Sequence, residues 1–498
     1  MSGWGETVGR LAGGAATLLG LWGEPGAVHL AVLEGAPPLP LGGWGEGVAR
    51  SAPPSPRPSP ASGRGGVGVA GGATGATIRH LIRPCPDGHY PAISRVHPAA
   101  LRLERTVRDL YGLDPIGLPD TRPWLAHGAH PTAYPFLPVE GADLHQVPVG
   151  PVHAGIIEPG HFRFTCDGET VVRLEQRLGY AHKGVEALLA GADLTVAARI
   201  AGRICGDSTV AYALAFARAT EAACGAAPPP RAVWLRALAA ELERLANHLG
   251  DVGGICNDAA FALMLAHCAV LREQVLRTAS ACFGHRLMMD AVVPGGMAVD
   301  LAEDGAARLG ALVGDVRTRF ARLVALYDGT ASLQDRTVGT GIVTADLAAR
   351  FGAGGYVGRA SGRDFDARRS PGYPPYDRLA FDIPTRTEGD VNARVWIRIE
   401  EIKQSLRLVE QILDRLPSGP VRAALPEAAG EGIALVEGFR GDVLAWVRMD
   451  GDRVVRAHLR DPSWFQWPLL EAAAEGNIIA DFPLCNKSFN CAYSGHDL

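Results

Sequence analysis

Alternating apolar and polar residues predict the strands of this chain. Residues 76–83 read ATIRHLIR and are followed by a Pro86-Asp87-Gly88 turn, and residues 152–180 alternate on both sides of Cys166-Asp167-Gly168. An apolar side chain at every second position gives a strand one buried face, and Asp-Gly between two such runs is typical of a hairpin. We therefore expect one strand near residue 80 and a β-hairpin around Gly168, followed by a helix.

Most of the remaining chain has helical periodicity. Residues 192–225 are rich in alanine and end at Gly225 before three prolines, and residues 233–284 predict two long helices broken near Gly253-Gly254. Further helices are predicted over 98–112, 305–330 and 392–416. A bundle is the simplest fold that buries so many apolar stripes. The predicted fold class is α+β, with a small α/β N-terminal domain followed by a mainly α-helical bundle that opens with a short β-hairpin.

Composition divides the chain into regions. Residues 1–50 are rich in Gly, Leu and Ala, and we interpret them as a degenerate N-terminal region. Residues 51–75, SAPPSPRPSPASGRGGVGVAGGATG, have too few apolar side chains to bury a core and predict a linker. The regions that follow are a segment over 76–130 and a large domain over 145–498.

Length, charge and cysteine content narrow the classes of protein. The 498 residues are enough for two or three domains, and the net charge of −5 gives no indication of nucleic-acid binding. The nine scattered cysteines favour a reducing compartment over a disulfide framework. Because no run of 18 apolar residues occurs, we expect a soluble chain that reaches a membrane only through partners.

Two distant motifs have the form of two halves of one site. The first is Arg203-Ile-Cys205-Gly-Asp-Ser208, and the second is Cys491-Ala-Tyr-Ser494 near the C-terminus. Cys-x-x-Cys at both places would supply the four thiolates that a nickel–iron centre needs. A serine hydroxyl is a harder and less acidic ligand, so two of the four expected ligands are missing. We therefore interpret Cys205 and Cys491 as vestigial metal ligands with Ser208 and Ser494 at the other two positions, although two thiolates and His496 could instead hold zinc.

The residues around these motifs carry a family resemblance. The blocks that carry it lie, in order, at 149–187, 202–221, 240–253, 283–296, 389–405, 437–447 and 458–464. They resemble the large subunit of membrane-bound nickel–iron hydrogenases of the formate-hydrogenlyase type and the related 49-kDa subunit of respiratory complex I. Residues 90–125 are similar to the end of the 30-kDa subunit of complex I, so the chain resembles a fusion of the two.

The resemblance implies catalytic roles for three residues. Glu186, in Lys183-Gly-Val-Glu186, matches the family's Arg-Gly-x-Glu, whose carboxylate relays protons, and His182 matches a family histidine in the same stretch. The alternative for Glu186 is a solvated charge at a helix start. His161 matches, after a short insertion, the complex I histidine that donates a hydrogen bond to a quinone head group.

The same resemblance implies a cofactor-binding set of His161, Arg203, Asp207 and Tyr212. The family's tyrosine partner of the quinone histidine falls near Gly206, where this chain has no tyrosine, and Tyr212 lies a turn and a half further along. The resemblance therefore implies a quinone site, but the tyrosine expected near Gly206 is missing from it.

Two other polar groups have structural interpretations. Glu241, Arg244 and His248 are spaced along one stripe of a helix, which favours a buried ion-pair stripe over proton relay. The block around Arg359 is similar to the family's substrate-channel loop and predicts the rim of a site. No glycine-rich dinucleotide fingerprint follows a strand, so any NAD binding is expected of the complex rather than of this chain.

The resemblance implies an oxidoreductase subunit of a membrane-associated complex related to complex I or to group 4 hydrogenases. We expect it to couple electron transfer from an iron–sulfur partner, with a quinone as the candidate acceptor, to ion translocation without a functional nickel–iron centre. The alternatives are a genuine nickel–iron hydrogenase large subunit and a non-catalytic scaffold. We expect no cofactor on this chain itself, a 4Fe-4S cluster in a small partner subunit, membrane ion-translocating partners, and a peripheral location on the cytoplasmic side of the cell membrane.

Overall fold

Residues on both sides of the predicted linker pair in one antiparallel sheet. The structure, a computed structural model, describes residues 2–35, 75–125, 134–153 and 157–496, so the linker lies almost entirely outside the described residues. Strands Ala16–Glu24 (β1), Ala27–Glu34 (β2) and Thr77–Pro84 (β3) follow the order β1-β2-β3, with Leu30 opposite Leu81. The predicted strand near residue 80 is confirmed, and it completes a sheet begun by the first 34 residues.

The N-terminal sheet is followed by smaller elements that lead to the predicted hairpin. Strands His89–Pro91 (β4) and Asp114–Ile116 (β5) pair in parallel on either side of helix Leu101–Tyr111 (α2), and helix Ser2–Ala12 (α1) precedes β1. Strands Leu144–Val149 (β6), His161–Asp167 (β7) and Thr170–Arg177 (β8) form an antiparallel sheet, in which β7 and β8 are the predicted hairpin around Gly168. A third strand, β6, extends that hairpin.

Long helices make up the predicted bundle. After the short helices Val185–Leu189 (α3) and Leu194–Ala201 (α4), the chain forms Thr209–Ala223 (α5), Pro230–Asp258 (α6), Ala262–Phe283 (α7), Gly305–Gly329 (α8) and Val391–Arg415 (α12). Between α7 and α8 lies a two-stranded hairpin of Val292–Val293 (β9) and Gly296–Met297 (β10), and the short helices Ala331–Thr337 (α9), Ala345–Arg350 (α10) and Gly355–Ala360 (α11) precede α12. The helices predicted over 98–112, 305–330 and 392–416 are confirmed.

The predicted break at Gly253-Gly254 is wrong, because α6 runs through both glycines to Asp258. An added Cβ at Gly253 would lie 2.8 Å from Cβ of Cys268 and 3.1 Å from Cα of Leu265, both on α7. The glycine therefore allows α6 and α7 to approach each other closely rather than ending a helix. The two helices are separated at residues 259–261 instead.

A third three-stranded antiparallel sheet, near the C-terminus, was not predicted. Strands Gly430–Glu437 (β11), Asp442–Asp450 (β12) and Arg453–Arg460 (β13) follow the order β11-β12-β13 and pack on α5. Helices Ser463–Ala474 (α13), Phe482–Phe489 (α14) and Tyr493–His496 (α15) then return the chain to the interior. The fold is a mixed helix-and-sheet structure, as expected, with more sheet than the prediction contained.

The predicted ion-pair stripe on α6 is buried, as its structural interpretation requires. Nε of Arg244 lies 3.4 Å from Glu241, and Nε2 of His248 lies 2.7 Å from Glu401 on α12. Arg359, which was predicted at a site rim, is also fully buried and bonds the carboxylates of Glu401 and Glu437. The rim interpretation is wrong for Arg359, because charged partners on neighbouring elements allow a guanidinium to be buried. Within the described ranges, no helix combines the length and apolar character that crossing a membrane requires.

Candidate functional site

The two cysteine motifs lie near opposite ends of the sequence of the large domain. Cys205 lies just before a turn at Gly206–Ser208 that opens α5, and the side chain of Asn247 on α6 donates to the Asp207 carbonyl at 2.7 Å. The second motif begins after α14, where Asn490 turns the chain with a φ of 47°. The first motif therefore contains the turn that opens α5, and the second follows the turn at Asn490. The cysteine and the serine of each motif are buried.

Arg440 bonds the first motif and the backbone just before the second. Its guanidinium makes a bidentate pair with Asp207, at 2.7 and 2.5 Å, and donates to the Ser208 hydroxyl at 3.0 Å. It lies 3.7 Å from the Cys205 sulfur, and its Nε donates to the carbonyl of Asn490, beside Cys491. A cation thus lies between the two halves of the predicted site.

The backbone around Arg440 is fixed by close packing. The turn between β11 and β12 carries Arg440, whose carbonyl accepts from the side chain of Gln466 at 2.8 Å. An added Cβ at Gly355, which has a φ of 61°, would lie 1.9 Å from that carbonyl oxygen. Only glycine fits such a contact. The backbone that carries the Arg440 side chain is therefore packed against Gly355 and bonded by Gln466.

Electrostatics keep the first motif charged at Asp207 and neutral at Cys205. Burial alone would raise the pKa of Asp207, but the charge and hydrogen bonds of Arg440, with the bond from Cys205, lower it to about 2. Burial and the neighbouring Asp207 carboxylate raise the pKa of the Cys205 thiol well above its usual range. The thiol donates to Asp207 Oδ1 at 3.0 Å, which is the bond of a protonated sulfur.

The second motif is buried at all four of its residues. Burial raises the pKa of the Cys491 thiol, whose sulfur lies 3.9 Å from Oε1 of Gln466. The amide of Ser494 donates to Glu158 at 3.0 Å, while its hydroxyl is buried without a hydrogen-bond partner in the described part of the chain. Arg440 bonds the first motif and the carbonyl of Asn490, the residue before the second motif, whereas a short distance between the sulfurs of Cys205 and Cys491 stays a prediction.

Tyr212 on α5 lies against Gly495, the residue that follows the second motif. Its hydroxyl donates to Asp461 at 2.7 Å, and both side chains are buried. An added Cβ at Gly495 would lie 2.7 Å from that hydroxyl and 2.8 Å from Asp461 Oδ2. Burial, followed by the charge of Asp461, raises the pKa of Tyr212 well above its usual value. Tyr212 is therefore a neutral hydrogen-bond donor engaged within the protein.

The donor set of the two motifs does not fit a nickel–iron centre. Such a centre takes four soft thiolates, but here serine hydroxyls stand at two of the four ligand positions, Ser208 and Ser494. A guanidinium, which stays charged at all accessible pH values, contacts three residues of the first motif and would repel a metal cation. In the ranges that the structure describes, no group of three or more His, Cys, Asp or Glu side chains is arranged to hold a metal ion.

Glu186 lies on α3 and has two partners. Its Oε1 is 2.6 Å from Nδ1 of His458, and its Oε2 accepts from the Tyr111 hydroxyl at 2.8 Å. The adjacent Lys183 donates to the carbonyls of Ile204 and Arg203, which attaches this turn to the Cys205 motif. Glu186 is therefore a partly buried, bonded carboxylate rather than a solvated charge at a helix start.

The other predicted residues lie in different surroundings. His161 is buried on β7, where Nδ1 lies 3.2 Å from the Gly150 carbonyl and Nε2 lies 3.4 Å from Nε of Arg163. Burial lowers the pKa of His161 even though its bond to Gly150 opposes the shift. His182 is exposed in the turn before α3, and Arg203 forms an exposed ion pair with Asp290 at 2.6 Å. The hydrogen-bond partners of His161 and of Glu186 are different residues.

A surface cleft lies beside His161. It has a volume of about 560 Å³, and its lining includes Tyr134, Phe136, Leu144, Gln146 and Arg163. The ring of Phe136 is 5.4 Å from that of His161, and the Arg163 guanidinium stacks on Phe136 at 4.5 Å. The cleft thus offers an aromatic ring and a cation, and its Phe136 lies beside His161, the predicted quinone ligand.

Four important residues were missed by the sequence reasoning. They are Tyr111, Arg440, His458 and Asp461. Three of them lie within blocks 437–447 and 458–464, which carry the family resemblance, so the signal was present without an assigned role. Tyr111 was predicted only as the end of the helix at 98–112.

Known proteins match most of this chain. The family described as respiratory-chain NADH dehydrogenase, 49 Kd subunit, matches residues 258–429. A carbon monoxide-induced hydrogenase of Rhodospirillum rubrum is 33% identical over 350 residues, covering 70% of this chain and 97% of that protein. Formate hydrogenlyase subunit 5 of Escherichia coli is 31% identical over 441 residues, covering 82% of this chain and 77% of that protein.

The match extends to quinone-dependent enzymes. An NADH-quinone oxidoreductase subunit of Dehalococcoides mccartyi is 31% identical over 339 residues, covering 67% of this chain and 92% of that protein. By their names these relatives are hydrogenases and subunits of oxidoreductases, the two classes that the resemblance implied. The chain therefore belongs to the family of the 49 kDa subunit of respiratory-chain NADH dehydrogenase and its hydrogenase relatives.

Proposed function

We propose that this protein is the large redox subunit of a membrane-associated complex related to complex I and to group 4 hydrogenases, working without a nickel–iron centre. It receives electrons from an iron–sulfur partner and couples their arrival to ion translocation. The observation that carries the proposal is the Arg440 guanidinium, which bonds Asp207 and Ser208 and contacts Cys205 in the position between the two motifs. A fixed ion pair there supports a site that responds to charge rather than one that binds hydrogen at a metal.

The partners of the complex follow from the relatives. Their names include a formate hydrogenlyase subunit and an NADH-quinone oxidoreductase subunit, each a part of a larger assembly. We extend this to a small subunit with a 4Fe-4S cluster and to membrane subunits that move ions, with this chain peripheral on the cytoplasmic face.

A quinone is the acceptor that the surroundings of His161 favour. The adjoining cleft offers the aromatic ring of Phe136 for stacking and the charge of Arg163 for a carbonyl oxygen. His161 itself is engaged with Gly150 and Arg163, so it would have to exchange a bond to reach a quinone. Loss of quinone reduction in His161→Ala, with the complex still assembled, would support this acceptor.

Metal analysis separates the proposal from a genuine nickel–iron hydrogenase. The complex is purified through an affinity tag on this chain from cells with intact hydrogenase maturation, and its nickel and iron are measured by mass spectrometry. We expect iron from the partner cluster, no stoichiometric nickel and no hydrogen uptake or evolution. A content near one nickel per chain would overturn the proposal.

The Glu186→Gln variant separates the proposal from a scaffold. Glutamine keeps the shape of the side chain and can accept from Tyr111, but it cannot release a proton. We expect the complex to assemble and its electron-transfer rate and ion pumping to fall across pH 6 to 8. Unchanged rates and pumping would make Glu186 a structural residue and the scaffold the better function.

A further inference from the structure

The carboxylate of Glu186 is bonded from two sides. Tyr111 donates to Oε2 at 2.8 Å and itself accepts from Arg456 at 2.9 Å, while His458 lies 2.6 Å from Oε1. The Glu186 and His458 side chains are 14% and 8% exposed. Of the two partners of Glu186, only the imidazole can both accept and donate a proton near neutral pH.

His458 has a second nitrogen that its contacts leave unused. Its Nδ1 faces Glu186, whereas its Nε2 is buried and has no hydrogen-bond partner among the described residues. Burial of an unpaired ring nitrogen is unfavourable, so such an atom in a native site calls for a function or a bound water. An ion pair that only joins α3 to β13 would need Nδ1 alone.

The ring of His458 is held by the N-terminal sheet. It stacks on Trp22 of β1 with the ring centroids 4.7 Å apart and an angle of 11° between the planes. Trp22 also stacks with His29 of β2 and His80 of β3, at 5.1 and 5.4 Å, and those two imidazoles share a 3.0 Å hydrogen bond. The Trp22 indole therefore orients the His458 imidazole and also stacks with the imidazoles of His29 and His80.

The same strand, β1, also leaves space for the ring of Tyr111, the other partner of Glu186. An added Cβ at Gly23 would lie 2.4 Å from the Tyr111 ring, so the glycine next to Trp22 leaves the space that the tyrosine occupies. Two consecutive residues of β1 thus determine the positions of both partners of Glu186. The N-terminal region forms part of the Glu186 site rather than a separate appendage.

We propose that His458 is the proton-exchange partner of Glu186 and that Trp22 of the N-terminal sheet is its positioning residue. The proton of a protonated Glu186 passes from Oε1 to Nδ1 of neutral His458, and the proton on Nε2 is then released to a water molecule. The reverse sequence reloads the carboxylate, so protons and charge balance over one cycle. This inference rests on the proton role of Glu186 in the proposed function and extends it to a second titratable group.

The charged groups around the pair allow this exchange. Arg456 faces it through Tyr111, and Glu24, Arg448 and Glu431 surround the imidazoles on the far part of the stack. Burial, and then the charge of His29, lower the pKa of His80 to about 4, while burial lowers the pKa of His29 against the pull of Glu24. Both imidazoles are therefore neutral near pH 7, so neither adds a positive charge that would repel a proton on His458.

The test uses the tagged complex in membrane vesicles. Electron transfer from dithionite-reduced methyl viologen to a short-chain ubiquinone is measured from pH 6 to 8 in normal and heavy water, with proton movement followed by a pH-sensitive dye. The variants are His458→Gln, which keeps a hydrogen bond to Glu186, and His458→Ala with imidazole added. The matched control is His267→Gln on the exposed face of α7. Co-purification of partner subunits reports assembly.

Loss of the exchange partner should lower turnover about 100-fold in both His458 variants, the usual contribution of a positioned acid–base group. Imidazole should partly restore His458→Ala, the solvent isotope effect should rise, and Trp22→Ala should lower turnover while Trp22→Phe retains most of it. His267→Gln should match the parent.

A His458→Gln complex at the parent rate, together with a slow Glu186→Gln complex, would overturn this inference and leave the proposed function standing. Parent rates in both variants would overturn both. The parent complex provides a measurement that needs no substitution, since infrared difference spectra with isotope-labelled histidine should show an imidazolium band gained as a carboxyl band is lost. Absence of that pairing would also overturn the inference.

Discussion

The ion pair between Arg440 and Asp207 can be tested by a double-mutant cycle. Asp207 has a pKa of about 2 against an ordinary value of 3.8, a difference that corresponds to about 2 kcal/mol of stability near neutral pH. Because the Asp207 side chain is 32% exposed, solvent screens part of this. Removing one member also leaves the other charge unpaired, so each single substitution should cost more than the pair contributes.

We expect Arg440→Gln to lower the free energy of unfolding by about 2–3 kcal/mol and Asp207→Asn by a similar amount, while the double variant recovers about 1–2 kcal/mol of the sum. Urea unfolding of the purified protein at pH 7 measures all four forms. The stabilisation belongs to the ionised Asp207, so it is present above pH 3.8 and is lost as the pH falls towards 2.

A matched control is the exposed pair of Arg277 and Glu273 on α7, 3.0 Å apart, where Arg277→Gln should have no measurable effect. Strict additivity of the two single substitutions at Arg440 and Asp207 would refute the reasoning. It would show that the guanidinium and the carboxylate are each stabilised by other groups, and the site would then lack the fixed ion pair on which the proposed function depends.

Two further predictions concern the N-terminal sheet and the helix bundle. His80 has a pKa of about 4 in the folded state against an ordinary 6.5, so the folded state binds fewer protons than the unfolded state. The free energy of unfolding should therefore fall by up to about 3 kcal/mol as the pH drops from 6.5 towards 4. Unfolding at pH 5 and pH 7 should show this fall, and His80→Gln should reduce the pH dependence. Gly253→Ala should destabilise the protein by about 1–3 kcal/mol despite the better helix propensity of alanine, because the new methyl group meets Cys268. The control is Gly310→Ala on α8, where an added Cβ has nothing within 4 Å, and it should stabilise the protein by up to about 1 kcal/mol. Equal effects at the two glycines in thermal unfolding would contradict the close approach of α6 and α7.

Much of the fold could be predicted because its causes are local. The strand near residue 80, the hairpin at Gly168 and the long helices α8 and α12 each follow from side chains a few residues apart, which decide the buried face and the backbone hydrogen bonds together. The helix predicted over 98–112 is observed as a 3-10 turn at Pro98–Ala100 that continues into α2. Family membership also followed from ordered blocks of the sequence, which need no folding to be recognised.

The site could be predicted only in part, because its decisive contacts join residues far apart in the chain. The sequence alone established that two of four metal thiolates are missing, and that Glu186 is a candidate proton group. It could not show that Arg440 bonds the first motif and the residue before the second, or that Trp22 holds the imidazole beside Glu186, since these contacts depend on how three sheets and a bundle pack. A glycine such as Gly253 illustrates the same limit. Its local propensity favours a helix break, but the energy of close packing against Cys268 is decided by a neighbouring helix that local pattern does not describe.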